Sequence, residues 1–264
     1  MTAAPAPEVL VQDHGAVRLI RLQRPSVKNS LTPEVVDALH EALAGAGTAE
    51  SVRAVVLSGV PGAFCSGGDV RIIAKKMEVG ADAVRDVLER FQALTLGIVK
   101  LSKPVVAAVT GPAVGFGADL ALACDFRVFA ESCYLQEKFV AIGLMPDGGG
   151  SYFLTRLLGP ARALEMLMLG SRIDAAQAVS LGLASSMTAD RDTEAAALAL
   201  ATTLAAGPPL ALARIKHAVH ENAAALETAL LRERDGQLAL LESADAREGV
   251  RAFLERRAPT FKGH

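Results

Sequence analysis

The sequence predicts an α/β core followed by a helical C-terminal region, and three observations carry that reading. Short apolar runs at residues 54–58 and 105–109, the latter largely β-branched, have the composition of buried strands, and residues 126–130 read as a further strand. Between them lie longer segments with apolar residues at helical spacing. From residue 190 onward the chain turns alanine- and leucine-rich and helical to residue 257, broken at Gly207-Pro208-Pro209. A hydrophobic helical tail of that kind has to dock on its own core or on a neighbouring chain.

The elements follow in order. Residues 1–7 form a small, proline-containing leader that is expected to fray. Residues 8–13 and 16–22 flank His14-Gly15 and read as a β-hairpin. Thr32 is a natural helix N-cap and Pro33 a natural first helical residue, with Val36, Leu39 and Leu43 following at 3–4 spacing. The strand at 54–58 runs into a glycine-rich turn over 59–69, and an amphipathic helix over 82–100 leads to the strand at 105–109. Gly111-Pro112 ends that strand, and Gly115-Phe116-Gly117 opens a helix over 118–124. Residues 143–150 form a third glycine-rich loop, helices are expected at 151–158 and 161–169, Asp174 caps a helix over 175–181, and residues 183–187 read as the last strand.

Composition narrows the function. Among 264 residues, 27 Lys+Arg against 29 Asp+Glu give a net charge of -2, so no global basic field recruits nucleic acid. Two tyrosines and no tryptophan also leave few platforms for stacking bases. Hydrophobic residues make up 51% of the chain, yet the most apolar stretch, from Pro104, is interrupted by Thr110, Gly111, Pro112 and Asp119 before it can span a bilayer. The N-terminus lacks the basic start and long apolar run of a signal peptide. The apolar excess is therefore expected in a core and in subunit contacts. Cys65, Cys124 and Cys133 stand at no metal-ligand spacing and point to reduced thiols in the cytoplasm. His217 and His220 share a helix face but have no evident third ligand, so no metal is expected.

Two of the glycine-rich turns, around Gly68 and around Phe116, each follow a strand and precede helical sequence. The first N–H groups of such a helix lack intrahelical partners and, with the helix dipole, favour a phosphate, a carboxylate or an oxyanion. Neither turn contains the GxxxxGK[ST] phosphate loop or a clean dinucleotide fingerprint. Taken singly, each is accounted for by the positive φ of a tight turn.

The segments RPSVKNSLT, AFCSGGDV, KPVVAAVTGPAVGFGADLALACD, LGPARALEMLMLG and APTFKGH, in that order from about Leu22 to the C-terminus, resemble the enoyl-CoA hydratase/isomerase (crotonase) superfamily. The resemblance implies a spiral of ββα units forming an acyl-CoA-binding core over residues 1–200. It implies a helical oligomerisation region over 201–264 and homotrimers or dimers of trimers. The substrate it implies is an acyl-CoA thioester, with no cofactor beyond the coenzyme A of that substrate and with neither nucleic acid nor membrane as partner. The backbone amides of Gly68 and Phe116 are the implied pair that holds the thioester oxygen as it becomes an enolate. By the same resemblance Lys28 stands near the CoA entrance, Ser66 and Val70 frame the adenine, and Phe261 and Lys262 reach CoA from a neighbouring subunit.

The acid/base residue follows less directly. Hydratases of that family use two glutamates; here the first position is Asp119 and the second is Phe139, so the pair is broken. Glu137, two residues away, reads as a solvated side chain. Asp147, in Gly-Leu-Met-Pro-Asp-Gly-Gly-Gly, instead resembles the branch containing isomerases such as 1,2-epoxyphenylacetyl-CoA isomerase. One carboxylate suffices for isomerisation, since the acid that removes a proton at one carbon can return it at another. Held among Phe139, Met145 and Phe153, that carboxyl would have its pKa raised by desolvation. The plain alternatives are Asp147 as an N-cap near Ser151 and Asp119 as a first-turn aspartate favoured by the dipole. Asp69 reads as a loop-fixing cap and Cys65 as a small core cysteine. The expected activity is thus an enoyl-CoA isomerase-type reaction, with Asp147 as acid/base and Asp119 as assistant. Hydration, thioester hydrolysis and a non-catalytic CoA-binding scaffold are the alternatives, and the acyl pocket is expected from residues 71–100 and 133–145.

Overall fold

The computed structural model describes residues 7–220 and 223–263, so the leader lies outside the described residues apart from Pro7. β1 (Val9–His14) and β2 (Val17–Leu22) form the expected antiparallel hairpin. α1 (Pro33–Thr48) starts as its sequence dictates: the Thr32 side chain accepts from the Val35 N–H at 3.4 Å and Pro33 occupies the first turn. β3 (Ala54–Ser58), α2 (Val70–Val79), α3 (Ala81–Lys100) and β4 (Val105–Val109) follow. Then come β5 (Ala113–Val114), α4 (Phe116–Ala123), β6 (Phe126–Ala130), β7 (Tyr134–Gln136) and α5 (Gly150–Leu169). The two helices expected at 151–169 are the halves of α5, which breaks at Gly159-Pro160. β8 (Arg172–Asp174), α6 (Ala175–Ser180) and β9 (Ser186–Thr188) complete the core, with Asp174 and Gln177 forming a reciprocal capping box on α6.

Six strands make the main sheet in the order β1-β2-β3-β4-β6-β9, parallel throughout except for the opening hairpin. Strands buried on both faces read as continuous apolar runs, which is why β3 and β4 stand out in the sequence. Alternation sorts their side chains. Leu19, Val56, Val106 and Val128 meet Ala197, Ala201 and Ala205 of α7 (Thr193–Ala206). Ile20, Val55, Leu57, Ala107 and Phe129 face the larger core shared with α1, α3 and α4. A small sheet, β5-β7-β8, stands apart from the main one and aims the start of α4 at the turn after β3.

Two local readings change. The last strand begins at Ser186, because the Leu183 and Ala184 amides bond back to Ala178 O and close the end of α6 before pairing with β6 can start. α2 was not expected as a separate helix; it begins directly after Asp69, which caps it. At the C-terminus come α8 (Pro209–Val219), α9 (Ala223–Leu241) and α10 (Ala244–Glu255), of which α9 and α10 dock on their own chain. α9 packs on α3 and α5, and α10 on α2 and the 3-10 turn at Phe139–Ile142. Among the described residues no single helix is long and apolar enough to cross a membrane.

Candidate active site

Three loops are clipped together by main-chain bonds and by one buried side-chain amide. Asn29 is fully buried; its side-chain amide donates to Ala63 O (2.8 Å) and Phe64 O (3.0 Å) and accepts from the Arg24 N–H (2.7 Å). Next to it, Leu31 N–H donates to Gly67 O (2.8 Å) and Asp69 N–H to Leu31 O (2.9 Å), a parallel bridge across Gly68. In such a bridge residues 67 and 69 do the bonding, so the Gly68 N–H faces away from Leu31. The second loop reaches the first through Val114 N–H to Cys65 O (3.0 Å) and Cys65 N–H to Pro112 O (3.2 Å). Phe116 opens α4, and its N–H is one of the unpaired groups of a helix start. Among the described residues neither the Gly68 nor the Phe116 amide meets a hydrogen-bond acceptor.

Gly67 allows this approach. Its φ is +89°, and a Cβ there would lie 2.8 Å from Val114 O and 3.4 Å from the Phe116 nitrogen. Gly68 and Phe116 both line two neighbouring cavities. The inner one, of about 50 Å³, is walled chiefly by apolar side chains of α2 and α3, among them Ile73, Leu88 and Phe91, with Phe139, Leu144 and Leu241. Its polar members are Asp69, Lys76, Asp147 and Gln237. The outer one, of about 180 Å³, takes in Ser66, Val70, Lys138, Phe253 and Arg257.

Asp147 is buried on the wall of the inner cavity. Desolvation, with the nearby Glu233 charge, pushes its pKa up to about 7, against a lowering by the Gln237 amide, which donates to Oδ2 at 3.1 Å. Asp147 Oδ1 has no partner among the described residues. Of the flanking groups expected to enclose it, Phe139 shares its cavity. The capping alternative is not what the structure shows: Gly149 stands at the N-cap of α5, and Glu233 of α9 takes the Gly149 N–H (2.7 Å), the Ser151 N–H (3.0 Å) and the Ser151 hydroxyl.

Asp69 lines the same cavity but is committed elsewhere. Its carboxylate caps α2 at the Arg71 N–H (3.0 Å) and pairs with the Arg71 guanidinium, which holds it below the usual carboxylate range. Asp119, expected as an assistant, is fully buried and lines neither cavity; Oδ2 accepts from the Gly148 N–H at 3.2 Å. Glu137 corrects the reading of a solvated side chain, because it is 1% exposed and faces Asp119. A Cβ at Gly150 would run into Asp119 Oδ1 and lie 3.0 Å from Glu137 Oε1, so glycine makes room for the pair. Burial raises both carboxyls well above their ordinary values, and Asp119 Oδ1 and both Glu137 oxygens are buried without a hydrogen-bond partner among the described residues. Two such groups in one dry pocket hold a proton between them.

The residues expected around CoA divide. Ser66 and Val70 line the outer cavity. Lys28 is exposed and lines neither, though its carbonyl accepts from the Ser66 N–H at 3.1 Å. Phe261 and Lys262 are exposed and also line neither; the Lys262 N–H is held by Asp245 at 2.6 Å. Lys138 and Arg257 stand on the outer wall instead. Cys65 is buried and its thiol is pushed up to about 12 by desolvation, as a core cysteine would be.

Glu233 and Gln237 were missed from the sequence. A signal existed: residues 226, 230, 233, 237 and 241 recur at helical spacing, and all five are buried, so two polar side chains sit within an apolar stripe.

Comparisons with known proteins identify the family. The sequence profile of the family described as enoyl-CoA hydratase/isomerase matches residues 12–264. The probable enoyl-CoA hydratase of Rhodobacter capsulatus is 40% identical over 252 residues, covering 93% of this chain and 94% of its own. The 1,2-epoxyphenylacetyl-CoA isomerase of Escherichia coli is 36% identical over 249 residues, covering 94% and 95%. The crystal structure of an enoyl-CoA hydratase from Mycobacterium avium subsp. paratuberculosis superposes with a TM-score of 0.87 at 34% identity, over 98% of this chain and all of that one. The α/β architecture described above is therefore the crotonase fold.

Proposed function

We propose that this chain, which belongs to the enoyl-CoA hydratase/isomerase family, isomerises an enoyl-CoA with Asp147 as its single acid/base. The thioester carbonyl sits against the Gly68 and Phe116 amides. Asp147 takes a proton from the carbon beside that carbonyl; the C–H pair moves into an enolate whose oxygen the two amides hold, and the same carboxyl returns the proton further along the acyl chain. The double bond shifts and nothing else is gained or lost. Donors fixed by the backbone need no reorganisation as the charge develops. A carboxyl with a pKa of about 7 is suited to work in both directions near neutrality.

One observation carries this reading. Among the described residues Asp147 is the one carboxylate free of an ion pair that lines a cavity together with Gly68 and Phe116. Hydration calls for a second carboxyl to hold the attacking water, and the cavity offers the ring of Phe139 there, while Asp119 and Glu137 lie behind the wall. The 40% identical relative named as a hydratase keeps hydration as the second reading.

Ser66, Val70, Lys138 and Arg257 support placing CoA in the outer cavity, with Lys28 beside its mouth. Exposed Leu164, Met168 and Leu169 on α5 and Leu210, Ile215 and Val219 on α8 support a homotrimer or dimer of trimers. Light scattering should then give three or six times 27.4 kDa.

Two substrates separate the activities. A 3-enoyl-CoA should gain enoyl-thioester absorbance, and crotonyl-CoA should not lose it. Asp147→Asn should lower the isomerisation kcat about 100- to 10,000-fold with little change in KM. Rapid loss of crotonyl-CoA absorbance by the native enzyme would replace this reading with hydration.

A further inference from the structure

The loop that carries Asp147 is gripped by α9. Gln237, 2% exposed, contacts two residues of that loop with one side-chain amide: its Oε1 accepts from the Met145 N–H at 3.0 Å, and its Nε2 donates to Asp147 Oδ2 at 3.1 Å. The orientation of the amide is thereby determined. The Met145 N–H can only donate, so the oxygen must face it, and the nitrogen is left facing Asp147. One turn earlier on α9, Glu233 holds the same loop at Gly149 and Ser151, and from α3 the Thr95 hydroxyl donates to Gly148 O at 3.1 Å.

A group that can only donate favours the carboxylate over the carboxylic acid. The Asp147 backbone works in the same direction as Gln237, and the larger influences run the opposite way. Burial disfavours its charge, as does Glu233 on α9; the further acids behind the wall are Asp119 on α4 and Glu137 after β7, whose own protonation Asp147 favours. The cation on the same cavity, Lys76 of α2, forms no ion pair with Asp147, and the remaining carboxylate there, Asp69, is paired with Arg71.

We propose that Gln237 is the positioning residue of this site, fixing the aim of Asp147 through Oδ2 and favouring its charged form, so that Oδ1 is the working base. The proposal rests on the acid/base assignment of Asp147 made above. Gln237 itself contacts the carboxyl and takes no part in bond making.

The test is the pH dependence of kcat/KM for a 3-enoyl-CoA, whose acidic limb reports the base in the free enzyme. Gln237→Leu removes the donor, and the limb should move up by about one to two pH units, with the loss of rate largest below the native limb and partly recovered above it. Gln237→Glu keeps an acceptor for the Met145 N–H, and with it the loop, while adding a like charge; its limb should move up at least as far. A purely structural role would lower the rate evenly across pH. An unmoved limb in both variants, with Asp147→Asn inactive, overturns the role of Gln237 and leaves the acid/base assignment standing. Full activity in Asp147→Asn overturns the assignment, and this proposal with it.

Discussion

The two sides of the proposed site are built from different materials. On the oxyanion side the working groups are main chain: two N–H groups, held chiefly by main-chain bridges among loops before residue 118 and by the Asn29 amide. On the carboxylate side everything is side chain, and the groups that surround Asp147 come from as far away as Gln237, 90 residues on. A backbone donor works wherever the fold holds it, and neighbouring side chains hardly alter its polarity. A carboxyl is defined by its surroundings, since burial, charge and hydrogen bonding each move its pKa. The first side should therefore tolerate changes of side chain and fail with small changes of backbone, and the second should do the reverse.

Gly67→Ala tests that contrast where it should be largest. The added Cβ meets Val114 O at 2.8 Å in a turn whose φ of +89° already excludes most side chains, so the two loops must part and the Phe116 amide moves with them. Losing one such donor lowers rates about 100- to 1,000-fold, and kcat/KM should fall by that order. The acidic limb of the pH profile should stay in place, because nothing near Asp147 has changed. A limb that moved with the rate would show that the two sides are not independent.

The acid cluster offers the next effect, on stability. The unfolded chain releases carboxyl protons near pH 4, whereas the buried Asp119–Glu137 pair keeps its proton to higher pH. Between those limits the folded pair binds more protons than in the unfolded chain, so its contribution to stability is greatest at low pH and falls as pH rises. Glu137→Gln replaces one acid by an amide that can donate to Asp119 at any pH and removes a repulsive charge. The thermal midpoint of the native protein should fall between about pH 5 and pH 9, and that of Glu137→Gln should fall less. Equal slopes would mean that the pair carries no proton.

The same contrast explains what was legible in the sequence. β3 and β4 were plain because both faces are buried; the glycine turns at Gly68 and Phe116 stood out because strand, turn and helical sequence are contiguous, while the pairing of their amides came from the family resemblance. Asp147 was recognisable by its motif, and its elevated pKa by its apolar neighbours. Glu137 was misjudged because burial is not a local property: it becomes Asp119's partner only when the segment after β7 lies against α4 and Gly150 leaves room. Glu233 and Gln237 were overlooked because a helical tail can dock in two ways, and only the fold shows that α9 closes over its own chain's site.

Phe116→Leu should produce the smallest effect and is the most pointed of these changes. The phenyl ring is 1% exposed and meets Phe91 edge-on at 4.6 Å between centroids, so a smaller side chain loses packing and about 1–2 kcal/mol of stability. The N–H of residue 116 is untouched, its place at the head of α4 being set by the Gly115 turn and the hydrogen bonds of Ala118 and Asp119 to Gly115 O. Turnover should accordingly stay within about 10-fold of the native enzyme, against the larger loss from Gly67→Ala, which leaves the ring and shifts the amide. If the leucine variant instead loses as much rate as Gly67→Ala while still folding, the aromatic face of residue 116 acts on the substrate and the oxyanion side is not the purely main-chain device described here.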